Sequence, residues 1–270
     1  LEQKVGFIGI GNIAIAVISG LLKSECISTS KIWIHDHKST TNKIISAKYN
    51  INCTDTDVCL AQKVDILFLT LKPNTLLKVL KNISHHIKQN TILISVAAGI
   101  TINQIEQIIG NNKKIIRAMP NINSSIGEGM TSITPNKILN QFDINIITDI
   151  FKSFGKTIIV SEELIHSVIG ISSSAPAYVF IFIEAIADAA VLSGMTYSQA
   201  YQCAAQALKG SAQMLLSTKK HPGELKNMVC SPGGTTIEAV SALEQNNFRS
   251  AVMRAVQKCI KKSKKLSRSY

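Results

Sequence analysis

No two of the six cysteines form a Cys-x-x-Cys pair, and none of the six histidines stands at metal-ligand spacing. A zinc framework is therefore excluded, and no metal site is expected. Cys26, Cys53, Cys59, Cys203, Cys230 and Cys259 are expected to be reduced and mostly buried. The opening stretch LEQKVGFIGIGNIA has no basic region and no cleavage site, so no secretory leader is expected. These absences point to the cytoplasm. Long uninterrupted apolar runs are missing too. The most apolar later segment, Ala177–Leu192, carries Glu184 and Asp188 and is shorter than the ~20 residues a bilayer requires. It reads as a buried helix and not as a membrane anchor. No internal repeat and no low-complexity linker interrupts the chain.

Acids are in short supply. The chain has 29 Lys and Arg against 17 Asp and Glu, a formal net charge of +12. The tail KCIKKSKKLSRSY holds no acid and contributes Lys258, Lys261, Lys262, Lys264, Lys265 and Arg268. A basic end of this kind is usually solvated, so no nucleic-acid partner is expected. The rest of the surplus suits an anionic cofactor or substrate. Apolar residues, at 46% of 270 positions, are plentiful enough to exclude wholesale disorder and to build two domains of ordinary size.

Lys4–Ile10 is a short apolar run, and Gly9-Ile10-Gly11-Asn12-Ile13-Ala14 has the form G-x-G-x-x-A. A helix is expected from about Asn12 to Ser24, and a second strand over Lys31–Ile34 ends at His35-Asp36-His37-Lys38. In such a βαβ unit the first glycine permits a tight turn and the second admits a pyrophosphate. The small Ala14 lets helix and strand pack closely. Asp36 could hydrogen-bond a ribose 2′-hydroxyl, which favours NAD. His37 and Lys38, with Ser39 and Thr40, could instead hold a 2′-phosphate, which favours NADP. Both readings stay open.

Further strands are expected at Val64–Leu71, Thr91–Ala97, Lys114–Ala118, Met130–Thr134 and Thr157–Val160. Near-continuous Ile, Leu and Val runs alternating with helices describe a parallel sheet buried on both faces. Ligands collect at the C-terminal edge of such a sheet. The strand exits Lys72-Pro73-Asn74, Ala97-Ala98-Gly99 and Met119-Pro120-Asn121 are thus the expected cofactor wall.

After Val160 the pattern turns helical, over 161–170, 176–193, 198–216, 221–228, 236–245 and about 248–264. Pro176 fits a first helical turn, with Ser172, Ser173 and Ser174 as capping candidates. The expectation is a Rossmann-type doubly wound α/β domain over residues 1–160 and an all-helical domain over 161–270. Within the latter, CSPGGTTIEAV (230–240) places Thr235 and Glu238 at capping-box spacing, with Thr235 as N-cap. Its glycines and free helical N–H groups suit a carboxylate or phosphate. An ordinary capped turn carries the same signature.

Several stretches occur together: GFIGIGNIA, LTLKP (69–73), ISVAAGIT (94–101), RAMPN and GEGM (within 117–130), APAYVFIFIEAIADA (175–189) and HPGELKNMVCSPGGTT (221–236). On these, the chain resembles the pyrroline-5-carboxylate reductases nearly end to end. The resemblance implies a Rossmann domain followed by an all-α dimerisation domain that builds an interlocked homodimer, often assembled further. It also implies hydride transfer from NADPH, with NADH possible, to the C5 imine carbon of 1-pyrroline-5-carboxylate, giving L-proline. By position, Gly9, Gly11, Asn12 and Ile13 would face the pyrophosphate. Lys72 and Pro73, Val96, Ala97 and Ala98, and Met119, Pro120 and Asn121 would border the nicotinamide. Ser231, Gly233, Gly234, Thr235 and Thr236 would hold the substrate, with Thr236 nearest the imine nitrogen. A threonine hydroxyl does not titrate near neutral pH, so Thr236 reads as a hydrogen-bonding partner or relay. Most of the acceleration would come from holding the reactants in line.

The chain departs from the family pattern in three places. The loop before Pro176 lacks its two usual glycines, with Ser173 and Ala175 in their places. Asn227 stands where Asp is common, and Asp57 replaces an Asn usually near the adenosine ribose. A β-hydroxyacid dehydrogenase is the rival enzyme, but it needs a helical-domain lysine as acid/base. Lys209 and Lys226 are candidates by position only. A non-catalytic dinucleotide-sensing module would have no use for the SPGGTT mouth.

Overall fold

The computed structural model describes residues 2–268. They fall into two compact units, one running up to Ser174 and taking in the residues from Cys259 onward, the other spanning Ala175–Lys258.

In the first unit β1 (Val5–Ile8) leads through a glycine turn into α1 (Asn12–Lys23) and β2 (Ile32–His35). Next come α2 (Ser39–Tyr49), β3 (Asn52–Cys53) and α3 (Asp57–Lys63). The alternation continues with β4 (Ile66–Leu69), α4 (Pro73–Ile83), β5 (Ile92–Ser95), α5 (Ile102–Ile109) and β6 (Lys114–Met119). β7 (Gly129–Pro135), α6 (Gln141–Lys152) and β8 (Gly155–Ile159) complete a sheet of order β3-β2-β1-β4-β5-β6-β7-β8.

The sheet departs from the expected all-parallel form. β7 runs antiparallel to β6, with Ala118 opposite Ile133. Residues 120–128 are too few for the crossover that a parallel neighbour requires, and they hold only the 3-10 turn Ile122–Ile126. The short β3 was not anticipated.

Strand alternation sends Val5, Phe7, Ile34, Phe68 and Ile94 to one face, against Val17, Ile18 and Leu21 of α1 and Ile147 and Phe151 of α6. Ile8, Leu67, Leu69 and Leu93 face Leu60, Leu76, Leu80 and Ile105 of α3, α4 and α5 on the other. Phe7 stacks on Phe68 at 4.7 Å, and Phe68 meets Phe151 edge-on at 5.9 Å. Each buried phenyl ring contributes about 1.5–3 kcal/mol by leaving water. The sheet is thereby held rigid, and its strand ends become fixed mounting points.

After β8 a short 3-10 turn leads into α7 (Ile165–Val168) and a π-helical turn over Ile169–Ser173. The guanidinium of Arg117, on β6, is 2% exposed and donates from Nη1 to Glu162 Oε1 at 2.7 Å. The same carboxylate oxygen accepts the Ile102 N–H at 2.8 Å, tying the start of α5 to that pair. His166 on α7 hydrogen-bonds Ser263 Oγ at 2.9 Å. Burial lowers the His166 pKa, and nearby Arg117 and Lys264 lower it further against an opposing Glu162. The folded imidazole thus resists protonation more than the unfolded one, so the unfolded state takes up the proton first. Stability is expected to fall as pH drops below about 6.5 and to be insensitive to this group above it. Urea midpoints measured between about pH 5 and pH 8 check this, and His166→Gln should flatten the decline.

The second unit contains α8 (Ala175–Leu192), α9 (Tyr197–Thr218), α10 (Pro222–Val229), α11 (Thr235–Gln245) and most of α12 (Phe248–Ser267). Thr196 and Gln199 form a reciprocal capping box at the start of α9. Phe182 of α8 packs on Phe248 of α12 at 5.7 Å.

Four expectations are corrected here. Within the single chain α8 is not a buried helix: Ala187 is its one buried residue, while Phe180 and Ile181 are 57% and 65% exposed. The side of α8 that carries Phe180 and Ile181 is left uncovered, although Phe182 packs on Phe248. The length argument drawn from Ala177–Leu192 also fails. The helical run Glu162–Leu192 spans 31 residues and is long and apolar enough to cross a membrane by length and composition. The π-helical turn carries helical backbone through Ser172 and Ser173, which the sequence reading took for capping residues. Lastly, all six cysteines are free, with Cys53, Cys59 and Cys203 exposed and the others only half-buried.

Candidate active site

The glycine turn after β1 is pinned from both neighbouring strands. Gly9 has φ +86, and a Cβ there would meet Leu71 Cδ2 at 2.4 Å. Only glycine fits that backbone without strain. Its N–H donates to the His35 carbonyl at 2.9 Å. Its own carbonyl accepts from Thr70 Oγ at 2.5 Å, and Thr70 also donates to Ile8 O at 3.0 Å. Sequence reasoning quoted Thr70 within LTLKP but gave it no role. A hydroxyl directly after a buried strand, one strand away from the glycines, was the available signal.

Gly11 is the N-cap of α1, in ordinary extended backbone, with no side chain capping the helix. A Cβ at Gly11 would meet nothing within 4 Å. The first N–H groups of α1, those of Asn12 and Ile13, are therefore open to a ligand at the positive end of the helix dipole. A phosphate fits this cradle.

Asp36 follows β2 directly, and its carboxylate turns back toward the turn. Oδ2 accepts the Ile10 N–H at 2.8 Å and Oδ1 the Lys38 N–H at 3.0 Å. Asn42 fixes the backbone of Asp36, accepting its N–H at 2.7 Å and donating to its carbonyl at 2.9 Å. Burial works against the ionised form, yet the two backbone donors and the nearby histidines hold the pKa below the usual aspartate value. Asn42 is a second residue that sequence reasoning missed. Asp57, at the start of α3, lies 3.5 Å from His35 Nε2, and burial raises its pKa.

The remaining wall residues gather along the same C-terminal edge of the parallel strands. Lys72 caps α4 from an exposed position and Pro73 is its first residue. Val96, Ala97 and Ala98 follow β5, and Met119 ends β6 ahead of buried Pro120 and Asn121. Asn121 spends its amide on the protein, accepting from Met130 N–H at 3.2 Å and donating to Ser172 O at 3.4 Å. These two bonds make Asn121 a support for this edge.

In the helical unit the opening to α11 differs from the expected capping box. Gly234 is the N-cap, Thr235 is the first helical residue, and no side chain caps the helix. The Glu238 N–H reaches the Gly234 carbonyl at 3.5 Å. The cause is the preceding turn. Gly234 N–H donates to Ser231 O at 3.1 Å, and Gly233 has φ +66. Proline followed by a positive-φ glycine is the pairing a type II turn requires. That turn delivers the chain into the helix one residue early. Ser231, Gly233 and Thr235 are exposed, Gly234 and Thr236 half-buried. Ser231 Oγ lies against Gly234, at the start of the helix whose first N–H groups, those of Thr235 and Thr236, have no side-chain cap.

A doubly wound sheet with an open glycine turn and an uncapped α1, joined to a helical unit with a second uncapped mouth, defines a dinucleotide-dependent oxidoreductase. Residues 4–99 match the family described as NADP oxidoreductase, coenzyme F420-dependent, and residues 162–266 match pyrroline-5-carboxylate reductase dimerisation. The chain is 46% identical to the pyrroline-5-carboxylate reductase of Escherichia coli, covering 100% of both chains. It is 38% identical to that of Methanosarcina acetivorans, covering 99% of each. The NADP-bound crystal structure of pyrroline carboxylate reductase from Plasmodium falciparum superposes with a TM-score of 0.89 at 31% identity, covering 98% of both chains. The chain belongs to the pyrroline-5-carboxylate reductase family. It is an NAD(P)H-dependent oxidoreductase with a dimerisation domain, and it assembles as a homo-oligomer.

Proposed function

We propose that the chain reduces 1-pyrroline-5-carboxylate at its C5 imine carbon to L-proline, the last step of proline synthesis, in the cytoplasm. The division of labour follows residues 1–160 for the dinucleotide and 161–270 for substrate and dimer contacts, with no nucleic acid or membrane involved. The observation that carries this reading is the uncapped start of α11 behind the Ser231–Gly234 turn. A helix mouth without a side-chain cap receives a small carboxylate on its N–H groups, here those of Thr235 and Thr236. Ser231 and the Thr236 hydroxyl can add hydrogen bonds, and Gly233 keeps the approach free of side-chain bulk.

When bound, the reduced dinucleotide supplies the hydride. Gly9, Gly11, Asn12 and Ile13 hold its pyrophosphate, Asp36 its ribose, and Lys72, Pro73, Val96, Ala97, Ala98, Met119, Pro120 and Asn121 border its nicotinamide. Thr236 orients the imine nitrogen through its hydroxyl and is the catalytic residue of the set. Lys209 and Lys226, the positions a β-hydroxyacid dehydrogenase would use, are both exposed.

Cofactor oxidation with 1-pyrroline-5-carboxylate tests the reading directly. Thr236→Ala is expected to lower kcat by about tenfold to a hundredfold, the equivalent of one charge-assisted hydrogen bond. Dinucleotide affinity should hardly change, and Thr236→Ser should keep much of the rate. Wild-type rates for Thr236→Ala would remove Thr236 from the site. Gly234→Ala is a poorer probe, because its Cβ would collide with Ser231 Oγ at 2.3 Å and disturb the turn itself.

A further inference from the structure

We infer that a pair of carboxylates, Asp36 and Asp57, makes the ribose end of the cradle reject a 2′-phosphate, so that this chain holds NADH more tightly than NADPH. The inference rests on reading the β1–β2 edge as the dinucleotide site.

Asp36 cannot swing aside for a phosphate. Its two oxygens are held by the backbone N–H groups of Ile10 and Lys38, and its own backbone is clamped by Asn42. Its side chain is only 12% exposed. Oδ1 already accepts the Lys38 N–H and lies 3.1 Å from His37 Nδ1, whereas Oδ2 accepts the Ile10 N–H alone. A carboxylate oxygen accepts two hydrogen bonds, so Oδ2 can still take one from a ribose hydroxyl. A hydroxyl offers that proton, and a phosphate brings further negative charge.

The second carboxylate closes the other side. Asp57 is near enough to Asp36 for the two to repel. Its partner is His35, whose Nδ1 lies 2.9 Å from the Thr54 carbonyl. A carbonyl only accepts, so Nδ1 carries the proton and Nε2 alone faces Asp57. At best the His35–Asp57 pair is neutral, so Asp57 offsets the charge that a protonated His35 would bring to this corner. His37, the one imidazole on the solvent side, is already spent on Asp36. The remaining cation, Lys38, reaches this point through its backbone N–H while its side chain is exposed to solvent. A phosphate would therefore gain one screened lysine and the exposed Ser39 and Thr40 at the start of α2, and would face two carboxylates, one of them clamped.

Equilibrium titration by nicotinamide fluorescence, with no substrate present, tests this on the wild type, Asp36→Asn and Asp57→Asn. The wild type is expected to bind NADH about tenfold more tightly than NADPH, or better. Asp36→Asn keeps an oxygen for the Ile10 N–H and should shrink that ratio by about tenfold, and Asp57→Asn should shrink it by less. Equal or tighter binding of NADPH by the wild type overturns the inference and leaves the cofactor site intact. An unchanged ratio in both folded variants overturns the role of the carboxylates. If the wild type binds neither dinucleotide, the reading of this edge as the cofactor site falls, and the inference with it. The wild-type ratio decides the matter even if a variant fails to fold.

Discussion

Gly11→Val is expected to abolish dinucleotide binding while leaving the protein folded. The two halves of that result have separate causes. Gly11 has φ −92 and ψ −175, extended backbone that valine adopts readily. A Cβ there meets nothing within 4 Å, so no core contact is disturbed. The same open space borders the uncapped N–H groups of α1, and two methyl groups would intrude on it. Affinity should drop by at least about a hundredfold, since the pyrophosphate loses its charge-assisted contacts together. Gly9→Val would fail for a different reason, because Gly9 has φ +86 and its Cβ would strike Leu71. Titration of purified Gly11→Val, with a melting curve alongside, separates the cases. Near-normal affinity would remove the cofactor assignment.

Ile181→Asp is expected to convert the homo-oligomer into a monomer. Val179, Phe180 and Ile181 form an exposed apolar run on α8, where isolated chains gain nothing by showing it to water. The two acids of the helix, Glu184 and Asp188, are both exposed and share one face four residues apart. Ile181, three residues before Glu184, borders that face, and Val179 and Phe180 carry the exposed apolar surface round to the other sides, where a second copy of the chain can cover it. A carboxylate placed among them would have to be buried unpaired or keep the subunits apart, a cost of several kcal/mol. Light scattering at micromolar concentration is the measurement. A monomeric wild type, or an oligomer that survives Ile181→Asp, would contradict α8 as the interface.

Much of this was legible in the sequence, for physical reasons that differ by element. β1, α1 and β2 declared themselves because a buried strand, a glycine turn and a one-sided helix each leave a distinct periodicity. The residues ranged along the sheet edge followed from the rule that ligands gather where parallel strands end. The direction of β7 was recoverable from the shortness of residues 120–128, but hydrophobic runs carry no arrow. β3, two residues long, has too little pattern to be seen. Thr235 and Glu238 matched a capping box by spacing alone. Spacing could not register that the Pro232–Gly233 turn would deliver Gly234 to the cap. The inward turn of Asp36 toward Ile10 is a rotamer choice, and composition says nothing about rotamers. The exposure of α8 was hidden because an apolar helix has the same pattern whether its own chain covers it or not.

The helix α12 belongs to two compact units, and this has a consequence for the order of synthesis. Its last turns, from Cys259 onward, belong with the sheet unit, where Ser263 bonds His166 and Cys259 Sγ donates to Ser174 Oγ at 3.3 Å. A chain emerging from the ribosome completes its N-terminal regions first as a rule. Here the sheet unit stays unfinished until the entire helical unit has been translated. His166 and Ser174 must wait uncovered through that interval, so the nascent protein needs both halves before either is sealed.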